Sequence, residues 1–546
     1  MTGATSVHAA FSAACANYAE HPFLYVPPAV AARYAVAAGE ITYADMLSEV
    51  ARLAEHYYHA GYGGGHRIGL MLDNRPAFIA HWFALNALGV SVVPINAELS
   101  AVEQAYLMQL SGVCLVLFAD EHNATLGDAI DALGAPLSVL ALDDIRLLPR
   151  APSARSDVDI DAATECAILF TSGSTGQAKA CLLSNAYFLE MGAWYRDLGG
   201  SCALESGVER LLTPLPLTHM NAMATSLMAM VMTGGCLIQL DRFHPQSWWR
   251  VVNESRASVI HYLGVMPAIL LQLEASEFER NPSIKFGFGA GINPAHHAAF
   301  EERFGFPLIE GWAMTETGAG GCIVANREPR HVGRSCFGKP DPTRVAFRLV
   351  DEAGDDVASG EPGELLVRAV GKDPRKGYFG GYYRNDAATN EGWADEWWHT
   401  GDVVRQIEDG SLCFVDRRKN IIRRSGENIA ALEVEAVLSR HAAPKALAVT
   451  AAPDDIRGEE VMACIVLEDA YPPCEETAVE LFEHCRGSLA YFKLPGYVVF
   501  VDSLPLTATQ KPKRNEIKAL ARNFVATAQT DVRIFDLRPR KRKQVA

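Results

Sequence analysis

The sequence predicts an α/β protein: a large N-terminal domain of parallel sheets flanked by helices, a β-rich subdomain, and a small α/β unit at the C-terminal end. Three observations predict it. Short apolar runs alternate with helix-period stretches from Thr42 onward, the pattern of strands joined by crossover helices. One apolar run, Cys166 to Phe170, empties into a Thr/Ser/Gly loop, the place where open α/β sheets bind ligands. After residue 430 a helical stretch (Ala431 to Arg440) precedes two strand-like runs, Ala446 to Ala451 and Cys464 to Leu467.

Taken in order, Thr42 is an N-cap, and Met46, Leu47, Val50, Leu53, Tyr57 and Tyr58 follow at helical spacing until Gly61 ends the helix. Arg67 to Leu72 reads as a strand, Pro76 to Leu88 as a helix, Val90 to Ile95 as a strand, Ala101 to Leu110 as a helix and Val113 to Phe118 as a strand. Ala151 to Ala163, polar and proline-containing, is a surface connection. The apolar run Ala222 to Leu240 is interrupted by Thr225, Ser226, Thr233 and Gly234-Gly235, so a buried helix, a turn and a buried strand explain it better than a membrane span. Gly360 to Arg368 alternates like a strand. The aromatics from Tyr378 to Trp398 then read as a packed β-rich subdomain.

Composition narrows the function. A net charge of −16 argues against general nucleic-acid binding, and 49% apolar with 21% charged residues is ordinary for a soluble globular protein. The 12 cysteines show no metal-ligand or disulfide spacing and read as reduced, mostly buried thiols of a cytoplasmic protein. The first residues lack the basic and apolar segments of a signal peptide.

Several stretches carry chemistry. In Leu169 to Lys179, Gly173 and Gly176 let the backbone turn its N–H groups toward an anion. The hydroxyls of Thr171, Ser172, Ser174 and Thr175 add donors, and Lys179 adds a charge. That suits a polyphosphate, although the spacing is not that of a Walker A loop. Pro214 to Ala222 holds His219, by itself a packed or a functional histidine. Gly287 to Pro294, with Gly289 and Gly291, is by itself a strand-to-helix turn. In Glu310 to Thr317, Trp312 can cover a purine face, Thr315 can donate to a phosphate and Glu316 can hold Mg²⁺. Asp402, after a glycine turn, offers two oxygens to a ribose. The basic stretch around Arg417 to Asn428 reads equally as a solvated turn, and Thr507 to Arg514, standing alone, reads as one.

Together and in this order, these words resemble the adenylate-forming superfamily of acyl-CoA synthetases, peptide-synthetase adenylation domains and firefly luciferase. They look most like acyl-CoA ligases of the crotonobetaine/carnitine type, a short- or medium-chain branch. The resemblance implies a phosphate loop at Thr171 to Lys179, with Ala178 and Ala180 where Pro and Gly are usual. It implies Trp312 where Tyr is usual, Ala313 where Gly is usual, and Thr315 and Glu316 as catalytic residues with Glu316 on Mg²⁺. His219, Gly289 and Gly291 would line the acyl pocket. Asp402 and Arg417 would contact the nucleotide, and Lys419 would be the hinge. Ser425, Gly426 and Glu427 would face CoA. Lys511 would be the catalytic lysine, after Gln510 where Gly is usual, with Lys513 the alternative by register.

The domains implied are a large domain over residues 1–416, a small mobile lid over 417–530 and a disordered basic tail over 531–546. The activity implied is ATP-dependent carboxylic acid–CoA ligation through an acyl-adenylate, with ATP, Mg²⁺ and CoA. No acid lies between Pro214 and Gly235 to pair with a substrate ammonium, which argues against amino acid substrates. The alternatives are a stand-alone adenylation enzyme serving a carrier protein and a non-catalytic nucleotide-binding relative. The partners are the acid, ATP and CoA, with no nucleic acid and no membrane span; a homodimer stays open.

Overall fold

A computed structural model describes residues 3–156, 159–171, 177–280, 283–351, 353–417, 421–505, 513–527 and 533–538. The chain forms two compact units, the first drawn mainly from the residues up to 417 and the second mainly from those after 420, with Glu98–Glu103 grouped with the second.

The first unit contains two mixed sheets and a smaller antiparallel one. The six-stranded sheet runs Ser138–Ala141, Leu115–Phe118, Arg67–Met71, Ser91–Pro94, Glu165–Thr171 and Lys179–Ser184. Its strands are parallel except the last, which pairs antiparallel with Glu165–Thr171. The expected parallel sheet is present, with one antiparallel strand at its edge. Lys179–Ser184 returns as the second arm of a hairpin, with Thr171 opposite Lys179, so the Thr/Ser/Gly loop joins two strands rather than a strand and a helix. The eight-stranded sheet is likewise parallel through its centre, with antiparallel edge strands Gly39–Thr42 and Ile323–Val324.

The helix after Thr42 forms as expected over Tyr43–His59. The Thr42 hydroxyl accepts from the Asp45 N–H and the Asp45 carboxylate accepts from the Thr42 N–H, a capping box. Met46, Val50, Leu53 and Tyr57 form its buried face. The run after Ala222 is a π-helical turn (Asn221–Ser226), a helix (Leu227–Thr233), Gly234 in the left-handed conformation and a strand (Cys236–Gln239), with nearly every side chain buried. Among the described residues no helix is long and apolar enough to cross a membrane.

The antiparallel sheet joins Val345–Val350, Pro362–Ala369, Trp397–Gln406 and Leu412–Arg417. The expected aromatic cluster packs beside it, with Trp398 against Phe379 and Trp393 at ring-centroid distances of 5.3 and 5.7 Å. One departure concerns the cysteines. Cys336 and Cys413 face each other across an antiparallel bridge as a disulfide, and the other ten cysteines are free.

The second unit is a six-stranded sheet with its own core around Val434, Val449, Val461 and Leu481. Its last strand, Ile534–Asp536, pairs antiparallel with Tyr497–Phe500, and Phe535 packs on Phe500 at 5.5 Å. The structured chain therefore runs past residue 531, where the sequence reading began its tail, because Ile534 and Phe535 are apolar residues with a strand edge to join.

Candidate active site

The site is organised by one word, Glu310 to Glu316, which leaves the strand Leu308–Trp312 and enters a loop. Three of its side chains reach three different segments of the first unit.

Glu316 is 4% exposed. Its Oε1 accepts from the Thr171 hydroxyl at 3.0 Å and from the Tyr382 hydroxyl at 2.7 Å. Thr171 ends the strand Glu165–Thr171, so this carboxylate is tied to the point where the Thr/Ser/Gly stretch of the sequence begins. Tyr382 arrives because residues 380–383 run antiparallel to Lys179–Ser184. The Gly380 N–H donates to Leu182 O, the Tyr383 N–H donates to Ala180 O, and Cys181 bridges Tyr382. Burial pushes the Tyr382 hydroxyl well up and the Glu316 charge adds to it, so Tyr382 remains a donor. The Lys179 ammonium stands 4.7 Å from the centre of the Tyr382 ring, a cation–π contact. The Thr315 carbonyl accepts from the Tyr187 hydroxyl at 2.9 Å, which fixes the backbone just before Glu316.

Trp312 is 8% exposed and packs against Phe337, with ring centroids 6.1 Å apart. Its indole N–H donates to Asp402 Oδ2 at 2.8 Å. Asp402 lies in the strand Trp397–Gln406, where its N–H donates to the Thr400 hydroxyl and its register partner on the next strand is Arg417.

Glu310 is buried and accepts three hydrogen bonds: from the Tyr262 hydroxyl at 2.8 Å, the Gly291 N–H at 3.0 Å and the Ile292 N–H at 3.1 Å. These hold the turn after the strand Phe286–Ala290. Gly291 has φ +75°, which favours glycine, and a β-carbon on Gly289 would run into the Tyr262 carbonyl oxygen. Both glycines thus have a backbone reason independent of any substrate.

Residues 11–383 match the family described as AMP-binding enzyme, and residues 433–511 match the AMP-binding enzyme C-terminal domain. The chain belongs to this adenylate-forming family. It is 30% identical to a crotonobetaine/carnitine–CoA ligase of Escherichia coli over 497 residues, covering 87% of this chain and 93% of that protein. It is also 30% identical to its counterpart in Salmonella paratyphi A over 500 residues, 88% of this chain and 93% of the other. Among solved structures, an o-succinylbenzoate CoA synthetase double mutant from Bacillus subtilis superposes with a TM-score of 0.78 at 23% identity, over 93% and 98% of the two chains. An amide bond synthetase from Marinactinospora thermotolerans gives 0.76 at 23%, over 93% and 99%. These two likenesses carry the fold.

Within this adenylate-forming fold His219 is half-buried in a turn, its N–H donating to Pro216 O at 3.0 Å. The π-helical turn that follows rests on His261, whose ring nitrogens lie 2.7 Å from the Ser226 hydroxyl, 3.2 Å from Asn221 Oδ1 and 2.9 Å from the Tyr195 hydroxyl. Burial lowers the His261 pKa to about 3, so the ring is neutral. In the second unit Ser425 and Gly426, with φ +53° and +95°, form the tight turn of a hairpin that sets Arg424 opposite Glu427. Ser172, Gly173, Ser174, Thr175, Gly176, Lys419 and Lys511 lie outside the described residues.

Sequence reasoning gave no role to Tyr382, Glu310 or His261. Glu310 stood in plain view in the word it organises. Tyr382 was submerged in an aromatic cluster, and only its strand pairing singles it out. Among the described residues the one grouping with metal-ligand proximity is Asp73, Glu121 and His122. Its members already have protein partners: Glu121 pairs with Arg75, and His122 Nε2 lies 2.8 Å from Asp73 Oδ2.

Proposed function

We propose that this chain is an ATP-dependent carboxylic acid–CoA ligase that works in two steps. A substrate carboxylate attacks the α-phosphate of ATP, forming an acyl-adenylate as pyrophosphate leaves. The CoA thiol then attacks the acyl carbonyl, and AMP leaves as the thioester forms. The observation that carries this reading is the convergence on one word. Glu316 is held at the mouth of the phosphate-binding stretch by Thr171 and Tyr382, while Trp312 is bonded to Asp402. Likeness to the curated CoA ligases supports the thiol acceptor.

In the first step two anions must meet, so the chain has to offset charge. Lys179 and the hydroxyls of Thr171, Ser172, Ser174 and Thr175 would receive the polyphosphate with the backbone of Gly173 and Gly176. Thr315 would donate to a phosphate oxygen, and Lys511 would stand between the carboxylate and the α-phosphate. Trp312 would cover the purine, and Asp402 with Arg417 would take the ribose. His219, Gly289 and Gly291 would border the acyl group. In the second step the C-terminal domain would turn about Lys419 and present Ser425, Gly426 and Glu427 to CoA. Mg²⁺ takes few protein ligands beside substrate phosphates, so a single buried carboxylate such as Glu316 fits it. When bound, the ion would neutralise polyphosphate charge.

The test is pyrophosphate release with Mg²⁺-ATP across short- to long-chain, aryl, betaine-type and amino acids, with and without CoA. The expected result is CoA-dependent turnover with one group of acids and a thioester by mass. Pyrophosphate release that yields no thioester would point instead to a carrier-protein acceptor. ATP binding without release from any acid would overturn the enzyme reading.

A further inference from the structure

The nucleotide end of the site carries a contact to which the proposed chemistry gives no task of its own. Trp312 Nε1 lies 2.8 Å from Asp402 Oδ2, between two residues that are 8% and 3% exposed. An indole N–H can only donate, and it sits on a rigid ring. Phe337 covers that ring, and the Trp312 backbone is held in register with Ile323. On the other side, the Asp402 backbone is fixed by its own N–H to the Thr400 hydroxyl at 3.0 Å and by the Gly401 N–H to Glu364 Oε1 at 3.1 Å. With backbone and ring both fixed, the hydrogen bond sets the rotation of the carboxylate. A carboxylate accepts several hydrogen bonds, so this one orients the group without exhausting it.

We infer that Trp312 is a positioning residue for sugar recognition: its indole N–H sets the Asp402 carboxylate at the angle that reads the ribose hydroxyls. The inference rests on the reading of Asp402 as the ribose-binding group. One side chain then serves two parts of the nucleotide, its face toward the purine and its N–H toward the sugar acceptor. A phenylalanine would keep the face and lose the N–H. Discrimination between ribose and deoxyribose would fall while the requirement for adenine stayed.

The experiment compares ATP, 2′-deoxyATP and 3′-deoxyATP as substrates for the full-length enzyme, reading KM and kcat separately for wild type, Trp312→Phe and Asp402→Ala. Trp312→Phe should raise KM for ATP about tenfold, the worth of one charge-assisted hydrogen bond, with little change for whichever deoxynucleotide lacks the hydroxyl being read. The preference for ATP should then collapse toward one at an almost unchanged kcat. Replacing Trp312 by 3-benzothienylalanine, which keeps the ring shape and removes only the N–H, should reproduce the loss even if the phenylalanine variant folds poorly. Collapse in Asp402→Ala with an unchanged preference in both Trp312 variants would overturn the inference and leave the ribose role standing. An unchanged preference in Asp402→Ala would overturn the ribose role, and the inference with it.

Discussion

Glu310 and Glu316 stand in the same word of sequence, are 6% and 4% exposed, and each accepts from a tyrosine hydroxyl at 2.8 or 2.7 Å. Burial and pairing do not separate them; their other donors do. Glu310 also takes the backbone N–H groups of Gly291 and Ile292, so it is built into the main chain of a positive-φ turn. Its burial pushes the carboxyl up, against the pull of those hydrogen bonds. Glu316 takes a second hydroxyl, from Thr171, where the strand ends and the Thr/Ser/Gly stretch begins. A carboxylate satisfied by backbone donors is scaffold. One satisfied by hydroxyls at a loop mouth can exchange them for a ligand.

Substitution should separate the two most strongly. Glu316→Gln should cut pyrophosphate release about a hundredfold or more while unfolding free energy stays within about 1 kcal/mol of wild type. Glu310→Ala leaves three donors without their acceptor, two of them buried, and should cost about 3 kcal/mol of stability in chemical denaturation, with activity lost only as folded protein is lost. A stable Glu310→Ala that is as inactive as Glu316→Gln would break the distinction.

The contrast also marks what the sequence made legible. The Thr42 helix, the strand into Thr171 and the Trp312 to Glu316 word were readable because cap, apolar run and motif are local. The partners were not. Tyr382 lies 66 residues from Glu316, and Trp312 lies 90 from Asp402. Both contacts depend on strand pairings that composition does not specify. The hairpin after the loop was missed for the same reason: Lys179–Ser184 reads as a strand, but its antiparallel direction is a tertiary fact. The disulfide joins cysteines 77 residues apart, brought together only by a bridge between segments. The glycines at 289 and 291 invited a substrate explanation, whereas backbone crowding and a positive φ already require them.

A buried histidine extends the comparison to pH. His261 is held by side chains alone and is neutral, with its pKa lowered to about 3; His81, beside the Tyr57 hydroxyl, is lowered to about 3 as well. With folded values below the unfolded 6.5, their contribution is complete above pH 6.5 and is lost as pH falls toward 3, because the unfolded chain binds the protons first. Each should remove about 1.4 kcal/mol per pH unit in that window. Between pH 7 and 5, His261→Gln should therefore lose about 2 kcal/mol less than wild type in denaturation, since carboxylate titration is common to both. Equal losses would mean that burial in the fold does not lower the His261 pKa.

The smallest effect tests the Glu316 side of the comparison directly. Tyr382→Phe removes one of the two hydroxyls on Oε1 but keeps the ring beneath Lys179, so charge and packing stay while orientation is lost. The expected result is a fall of about tenfold in kcat/KM for ATP, near 1.4 kcal/mol, with a higher Mg²⁺ concentration needed for half-maximal rate and an unchanged KM for the acid. Thr171→Val, which removes the other donor, should act in the same direction. If Tyr382→Phe leaves the Mg²⁺ dependence untouched while Thr171→Val shifts it, Thr171 alone orients the carboxylate. Tyr382 would then belong with Tyr262, as a hydroxyl that closes a buried site without tuning it.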